Sequence, residues 1–223
     1  MIKLDKIIDL CVVDGSPSLD RLNLLSKIAA NCCRFMHFNS VKIFSGYPDL
    51  GSYKSNFNFQ YIPVSINSID EYSGFVIKDL HRYIDAEYCL IFQHDGFIIN
   101  PQSWNKQFLN YDYIGAVFPR AEWSEINRVG NGGFSLRTKK FMEFCSKFNY
   151  SGSVNEDKFL CVDHYEDIVS QGFSFAPPSL ASSFSVEENT EYTDLSVKPF
   201  GFHGSSRRPH LYSRTLHHIN NLN

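Results

Sequence analysis

The chain has 223 residues, of which 43% are hydrophobic and 20% are charged, and its formal net charge is −3. This length favours a single domain, and the slightly acidic balance argues against a general nucleic-acid binder, so we expect no nucleic acid among its partners. No stretch approaches the roughly 20 apolar residues of a membrane span, and the first residues do not resemble a signal peptide. We therefore expect a cytoplasmic protein.

Predicted strands and helices alternate in the first half of the chain. Apolar runs predict strands at 7–13, 41–44, 59–64 and 88–92. Apolar residues at helical spacing predict one helix that ends near residue 35 and another over 69–84. This order predicts an α/β domain with a mixed, largely parallel sheet flanked by helices.

The second half of the chain is less regular. We predict a short helix over 102–109, a strand over 111–117 and a strand over 134–137 that leads into a helix. A further helix is predicted from residue 155 to about residue 170, and only short aromatic segments follow it. The domain is expected to span 1–204, and a basic tail is expected over 205–223.

The strand at 88–92 ends abruptly in polar residues. Gln93, His94 and Asp95 follow it, and Gly96 then frees the backbone to turn. In open α/β sheets, ligands bind beyond the carboxyl ends of the strands. A carboxylate at such a strand end is well placed to hold a metal ion or a phosphate-bound cation. The alternative is a solvated acid in an ordinary turn.

Three more polar clusters follow in the second half. Gly132 and Gly133 precede a strand, where they either let the backbone approach a ligand or form a plain tight turn. Glu156 and Asp157 open a predicted helix, where carboxylates either serve the helix dipole or act as a general base towards a hydroxyl. His203 lies between glycines and aromatic residues, and a lone histidine of this kind is more often structural than a ligand.

The order of these clusters resembles that of the nucleotide-sugar glycosyltransferases of the GT-A fold. More narrowly, the chain resembles a glycosyltransferase-like domain family that shares six blocks. In this sequence the blocks are LIFQHD at 90–95, YDYIGA at 111–116, VGNGGFSLR at 129–137, NED at 155–157, FSVE at 184–187 and PFGFH at 199–203. The resemblance extends from about residue 70 to residue 204 and implies a GT-A-like (Rossmann-like) fold in one domain.

The resemblance implies a metal site. Asp95 and His203 would hold a divalent cation on the sugar diphosphate, and their ligand types suit Mn2+ or Mg2+, with the imidazole favouring Mn2+. One residue departs from the pattern of the GT-A glycosyltransferases. Their usual Asp-x-Asp metal motif begins here with Gln93. The acid that normally contacts the metal is retained as Asp95, whereas the loss of the first acid weakens the expected ribose or metal contacts.

The resemblance also implies a catalytic pair. Asp157 would take the proton of an acceptor hydroxyl in a single-displacement, inverting reaction. Glu156 would orient the acceptor or the donor sugar. Gly132 and Gly133 would lie under the donor sugar.

Further ligand contacts are expected around this centre. The nucleotide is expected over the end of the first strand, where its contacts would be Val13, Asp14, Tyr72, Ser73 and His94. Trp123 would either stack on an acceptor sugar or anchor its loop. Arg207 and Arg208 would either clamp a diphosphate or a lipid-linked acceptor, or form a solvated basic face.

By analogy, the chain is expected to be a metal-dependent glycosyltransferase that uses a nucleotide-diphosphate sugar as donor. Its acceptor would be a glycan or a lipid-linked glycan in surface polysaccharide or glycan assembly, at the periphery of a membrane-bound complex. A second hypothesis is a non-catalytic sugar- or nucleotide-binding domain with the same fold, which Gln93 favours. A third is a phosphate-ester hydrolase, for which the sequence lacks a second cluster of metal ligands.

Overall fold

The structure is a computed structural model that describes residues 7–119, 126–194, 196–204, 209–210, 212–213 and 217. Its strands are β1 (Ile8–Asp14), β2 (Val41–Ser45), β3 (Gln60–Pro63), β4 (Tyr88–Phe92), β5 (Gly96–Ile98), β6 (Tyr113–Ile114), β7 (Phe134–Thr138), β8 (Ser185–Val186) and β9 (Gly201–His203). Its α-helices are α1 (Leu19–Cys33), α2 (Ile69–Lys78), α3 (Lys139–Cys145), α4 (Glu156–Lys158), α5 (Tyr165–Ser170) and α6 (Pro178–Phe184). No helix in this described part is both long and apolar enough to cross a bilayer.

The main sheet, as far as the chain is described, has six strands in the order β3-β2-β1-β4-β7-β6. The first four of these run parallel, whereas β7 lies antiparallel to β4 and β6 lies antiparallel to β7. All five residues of β4 are buried, as expected for a central strand with a continuous apolar sequence. The predicted α/β class with a mixed, largely parallel sheet is therefore confirmed.

Serine caps begin the two helices of the first half. Ser18 Oγ accepts a hydrogen bond from the backbone N–H of Arg21, and Ser68 Oγ accepts one from that of Glu71. The prediction of a single helix over 69–84 is wrong, because α2 ends at Lys78 and a 3-10 helix follows at Leu80–Tyr83.

A small second sheet lies beyond β4, and the sequence does not predict it. β9 is its central strand, antiparallel to β5 and parallel to β8. Gly96, expected to open a turn, instead begins β5 opposite His203. The pairing brings the segment that follows β4 next to the chain just before residue 204.

Three other predicted elements are shorter or broken in the structure. The predicted helix over 102–109 consists of two 3-10 helices, Pro101–Ser103 and Lys106–Asn110. The predicted strand over 111–117 is reduced to β6. The predicted helix from 155 to 170 is interrupted by a π-helical turn at Phe159–Asp163, which separates α4 from α5. π turns of this kind occur frequently near functional sites.

A buried carboxylate ties β1 to its neighbours at the end of the sheet where β1 begins. Asp9 is fully buried. Its oxygens accept hydrogen bonds from Asn39 Nδ2 (2.9 Å), Ser40 Oγ (2.6 Å), Lys42 Nζ (3.3 Å) and the backbone N–H groups of Asp85 (2.6 Å) and Ala86 (3.0 Å). Burial acts to raise the pKa of Asp9, but these hydrogen bonds outweigh it and hold the pKa below its usual value.

Replacing Asp9 by Asn should lower the free energy of unfolding by about 3 kcal/mol at neutral pH, because buried donors lose their acceptor. Since the folded-state pKa is depressed, the contribution of Asp9 is present above the unfolded-state pKa of about 4. It is lost as the pH falls through the folded-state pKa, so the gap between the variant and the wild type should shrink in acid. Urea unfolding at a series of pH values measures both effects.

The matched control for this prediction is Asp85→Asn, because the Asp85 side chain also contacts Lys42 but is 70% exposed. The Asp85→Asn variant should lose less than about 1 kcal/mol of its free energy of unfolding, as expected for an exposed ion pair. An equal loss in both variants, or a gap for Asp9→Asn that does not change down to about pH 3, would contradict the role of Asp9.

Candidate functional site

A cavity of about 230 Å³ lies beyond the carboxyl end of β4. Its walls come from the first turns of α2 and α4, from Gln93 after β4, from the segment that precedes β7, and from β9. Seven of the residues predicted for the site line it: Tyr72, Ser73, Gly132, Gly133, Glu156, Asp157 and His203. The cavity therefore lies where ligands bind in open α/β sheets.

A buried ion pair lies beside this cavity. Arg137 in β7 is 1% exposed, and its Nη2 donates a hydrogen bond to Glu156 Oε1 at 2.9 Å. The Nε of Arg137 donates to Ser135 Oγ at 3.0 Å, and its guanidinium carbon lies 4.9 Å from the centroid of the Tyr113 ring. The backbone N–H of Glu156 donates to Ser73 Oγ at 3.2 Å. These contacts fix the start of α4 against β7 and α2.

The two adjacent acids of α4 have different environments. Glu156 is 3% exposed, and burial raises the pKa of its carboxyl, although the Arg137 guanidinium opposes this shift. Asp157 is partly exposed on the cavity, where its Oδ1 accepts a hydrogen bond from the backbone N–H of Lys158 at 2.8 Å. Asp157 is therefore the acid that is more accessible to a ligand.

The absence of side chains at Gly132 and Gly133 makes room for other residues of the site. A Cβ at Gly132 would lie 1.4 Å from Glu156 Oε1, and a Cβ at Gly133 would lie 2.1 Å from His203 Nε2. The sequence leaves two roles open for these glycines, a close approach of the backbone to a ligand or a plain tight turn, and in the structure both lie in a turn. In the structure they are required by the protein's own carboxylate and imidazole.

Asp95, Gln93 and His203 converge next to the cavity. His203 Nε2 lies 3.4 Å from Asp95 Oδ1 and 3.1 Å from Gln93 Oε1. The pairing of β5 with β9 creates this contact, since Gly96 lies opposite His203 and the N–H of Gly204 donates to the Asp95 carbonyl at 3.2 Å. Burial acts to lower the pKa of His203, but the hydrogen bond and charge of Asp95 outweigh it and raise the pKa above its usual value.

The donor atoms of these three side chains fit a divalent cation. The described residues contain no group of three His, Cys, Asp or Glu side chains that could hold a metal. A cation here would have two ligands of these types, Asp95 and His203, and its third protein ligand would be the amide oxygen of Gln93. Adjacent ligands of an octahedral ion with bonds of about 2.1 Å lie roughly 3 Å apart, close to the separations of 3.1 and 3.4 Å found here. Magnesium-type sites in proteins are commonly completed by substrate phosphates.

Asp14 and His94 form a separate polar group at the end of β1. Asp14 Oδ2 lies 3.4 Å from His94 Nδ1 and 3.2 Å from Arg21 Nη1, and Asp14 Oδ1 accepts a hydrogen bond from the N–H of Ser16 at 2.8 Å. Burial acts to raise the pKa of Asp14, but the hydrogen bond with His94 and the other contacts hold it below its usual value. Neither Asp14 nor His94 is among the described residues that line the cavity. Val13 is 1% exposed and packs in the core.

Two residues at or beside the cavity are absent from the predicted set of site residues. The sequence-based reasoning missed Arg137, although a charged residue at the end of an apolar strand needs a buried partner and is a usable signal. It also missed Asn131, whose Nδ2 donates to Glu187 Oε2 at 2.6 Å at the edge of the cavity. The predicted acceptor contacts lie outside the residues that the structure describes: Trp123, Arg207 and Arg208.

Several solved structures are similar to this fold. A glycosyltransferase involved in the glycosylation of the major capsid of PBCV-1 gives a TM-score of 0.50 at 14% identity, over 96% of this chain and 98% of that chain. The bifunctional IspDF from Campylobacter jejuni gives a TM-score of 0.50 at 11% identity over 76% of this chain, which spans 48% of the length of IspDF. At these identities the likeness concerns the fold, and it confirms the predicted GT-A-like architecture.

Glucosyl-3-phosphoglycerate synthase from Mycobacterium tuberculosis, solved with Mn2+, UDP and glucosyl-3-phosphoglycerate, gives a TM-score of 0.47 at 6% identity. This match covers 76% of this chain and 69% of that chain, and its score is too low to add to the comparison of folds. No curated protein matches the sequence significantly. One family model matches residues 56–203, a range that contains the whole cavity. The chain therefore belongs to the family described as "Protein of unknown function (DUF5672)".

Proposed function

We propose that this protein is a metal-dependent glycosyltransferase that moves a sugar from a nucleotide-diphosphate sugar to a hydroxyl group of a glycan or lipid-linked glycan. The observation that carries the proposal is the cavity beyond β4, which is lined both by the accessible carboxylate of Asp157 and by His203, whose ring is paired with Asp95. The similar fold of the PBCV-1 glycosyltransferase, over nearly the whole of both chains, supports the reaction class by analogy.

Asp157 is the residue that we assign to the acceptor. Its carboxylate takes the proton of the acceptor hydroxyl while the hydroxyl oxygen attacks the anomeric carbon of the donor sugar. The new glycosidic bond forms as the bond between the anomeric carbon and the diphosphate oxygen breaks, and the electron pair of the broken bond leaves with the nucleoside diphosphate. A single displacement of this kind inverts the configuration at the anomeric carbon.

Asp95 and His203, together with the amide oxygen of Gln93, are the residues that we assign to a divalent ion, Mn2+ or Mg2+. When bound, such an ion supplies Lewis-acid stabilisation of the charge that develops on the departing diphosphate. The imidazole favours Mn2+ over Mg2+. Because His203 Nε2 must be free of its proton to coordinate an ion, protons compete with the ion, and its affinity should fall as the pH is lowered.

The first test is thermal unfolding with a panel of nucleotide sugars, each with and without Mn2+. A ligand that binds only the native state adds about 2.7 kcal/mol to the free energy of unfolding at one hundred times its Kd. We expect at least one nucleotide sugar to raise the Tm when Mn2+ is present, and we expect Asp95→Ala and His203→Ala to abolish this increase. Asp167→Ala, which removes a carboxylate that is 67% exposed on α5, should retain it.

Two results of this experiment would count against the proposal. A shift that does not depend on metal, in the wild type and in Asp95→Ala alike, would favour a binding domain without catalysis. The absence of a shift with every nucleotide sugar would overturn the proposed donor class.

A second prediction concerns Asp157→Asn. This change should slow the release of nucleoside diphosphate from the preferred donor by about 10²- to 10⁴-fold, because the amide cannot accept the acceptor proton. Donor affinity, measured by calorimetry, should stay close to that of the wild type. Asp163→Asn removes a neighbouring carboxylate of the π-helical turn and should leave the rate unchanged. If Asp157→Asn keeps more than about a tenth of the wild-type rate, Asp157 is not the base.

A further inference from the structure

Three buried oxygen atoms of the cavity residues have no hydrogen-bond partner in the described part of the protein: the Tyr72 hydroxyl, which can donate, and the two acceptors Glu156 Oε2 and Asn131 Oδ1. Glu156 and Asn131 are 3% and 4% exposed, and both line the cavity of about 230 Å³. Buried polar atoms are nearly always hydrogen-bonded in native proteins. Where such an atom belongs to a residue that lines a cavity, water or a ligand in the cavity can supply the missing hydrogen bond.

Glu187 fixes the direction of the Asn131 amide. Asn131 Nδ2 donates a hydrogen bond to Glu187 Oε2 at 2.6 Å. An ionised carboxylate only accepts hydrogen bonds, so the flipped amide would place oxygen against oxygen. The atom of the Asn131 amide that faces away from Glu187 is therefore Oδ1, which can act only as a hydrogen-bond acceptor.

Asn131 has a backbone conformation that few residues other than glycine adopt. Its φ of 59° lies in the left-handed region, which asparagine tolerates but glycine adopts more readily. Both neighbours, Gly130 and Gly132, are glycines. An asparagine at a position that suits glycine indicates that its side chain has a use there, which includes the hydrogen bond to Glu187 and the acceptor that this bond directs.

Arg137 determines which oxygen of Glu156 is available. The guanidinium of Arg137 donates a hydrogen bond to Glu156 Oε1, which leaves Oε2 as the oxygen that can accept a hydrogen bond from a ligand. The cavity has room for roughly eight waters at about 30 Å³ each. Two acceptors on a cavity of this size suit a small ring that carries several O–H groups, such as one monosaccharide unit.

We propose that Asn131 is a specificity-determining residue, whose Oδ1 accepts a hydrogen bond from one hydroxyl of the donor sugar and whose direction is set by Glu187. This inference rests on the proposed function and adds a property of the donor, a sugar with a free hydroxyl at the position that Asn131 contacts. Sites that hydrogen-bond a substrate hydroxyl discriminate strongly against an analogue that lacks it, because the buried acceptor is left unpaired.

The experiment compares donors that differ by one hydroxyl. The best donor in the panel of UDP-, GDP- and dTDP-linked sugars is compared with its monodeoxy analogues by calorimetry in the presence of Mn2+. In the wild type, loss of one particular hydroxyl should weaken binding by about 10- to 100-fold. In Asn131→Gly, which suits the left-handed backbone, the intact donor and that analogue should bind with the same Kd.

Two further variants separate this role from a general effect on folding. Ser153→Gly also replaces a non-glycine residue of positive φ (70°), but in an exposed segment, and it should keep the full discrimination. Glu187→Gln preserves side-chain size but allows the Asn131 amide to flip, so discrimination at the same hydroxyl should weaken. The ratio of the two Kd values is the relevant measurement, since a simple loss of stability does not change it.

The outcomes distinguish this inference from the proposal on which it rests. If Asn131→Gly and Glu187→Gln discriminate at every hydroxyl as the wild type does, Asn131 does not contact the sugar, and the proposed transferase remains. If the wild type binds no nucleotide sugar, both the transferase and the role of Asn131 are overturned.

Discussion

The buried ion pair between Arg137 and Glu156 connects the main sheet to the candidate site. A charge that is removed from water is tolerated only if it is paired and hydrogen-bonded, and Glu156 provides the pairing for Arg137. The pair fits because Gly132 has no side chain in the space that the carboxylate occupies. The ion pair therefore fixes three parts of the structure relative to one another: β7, Gly132 and Glu156, which is the first residue of α4. Asp157 follows Glu156 directly, so its own position depends on this pair.

The two adjacent acids illustrate how environment separates the roles of similar groups. Glu156 is enclosed, and one of its oxygens is occupied by Arg137, which suits an orienting or binding role. Asp157 is one residue further along the chain and remains partly open to the cavity, which suits proton transfer. In the proposed reaction, the first acid and Asn131 would position the donor sugar, and the second would act on the acceptor. Asp95 and His203, which are paired next to the cavity, would act on the diphosphate.

The parts of this structure that the sequence predicts are those with a local signal. The apolar run of β4 and the polar residues that follow it indicate both a central strand and the edge of the sheet where the site lies. The second sheet has no such signal, because β5 and β9 each have only three residues and lie far apart in the sequence, at Gly96–Ile98 and Gly201–His203. The need for glycine at Gly133 likewise depends on the His203 ring, a contact that only the folded chain reveals. The π-helical turn after α4 also left no pattern that distinguishes it from an ordinary helix.

The late position of β9 in the chain has a consequence for synthesis on the ribosome. All strands of the described main sheet have been made once β7 is complete, so a growing chain can begin to form that sheet early. The pairing of β5 with β9, and with it the contact between Asp95 and His203, must wait for the segment that ends at His203. A nascent chain can thus have its scaffold without the pair that we assign to the divalent ion. The ability to bind a nucleotide sugar with a metal would then be acquired late in biosynthesis, once the chain has been made as far as His203.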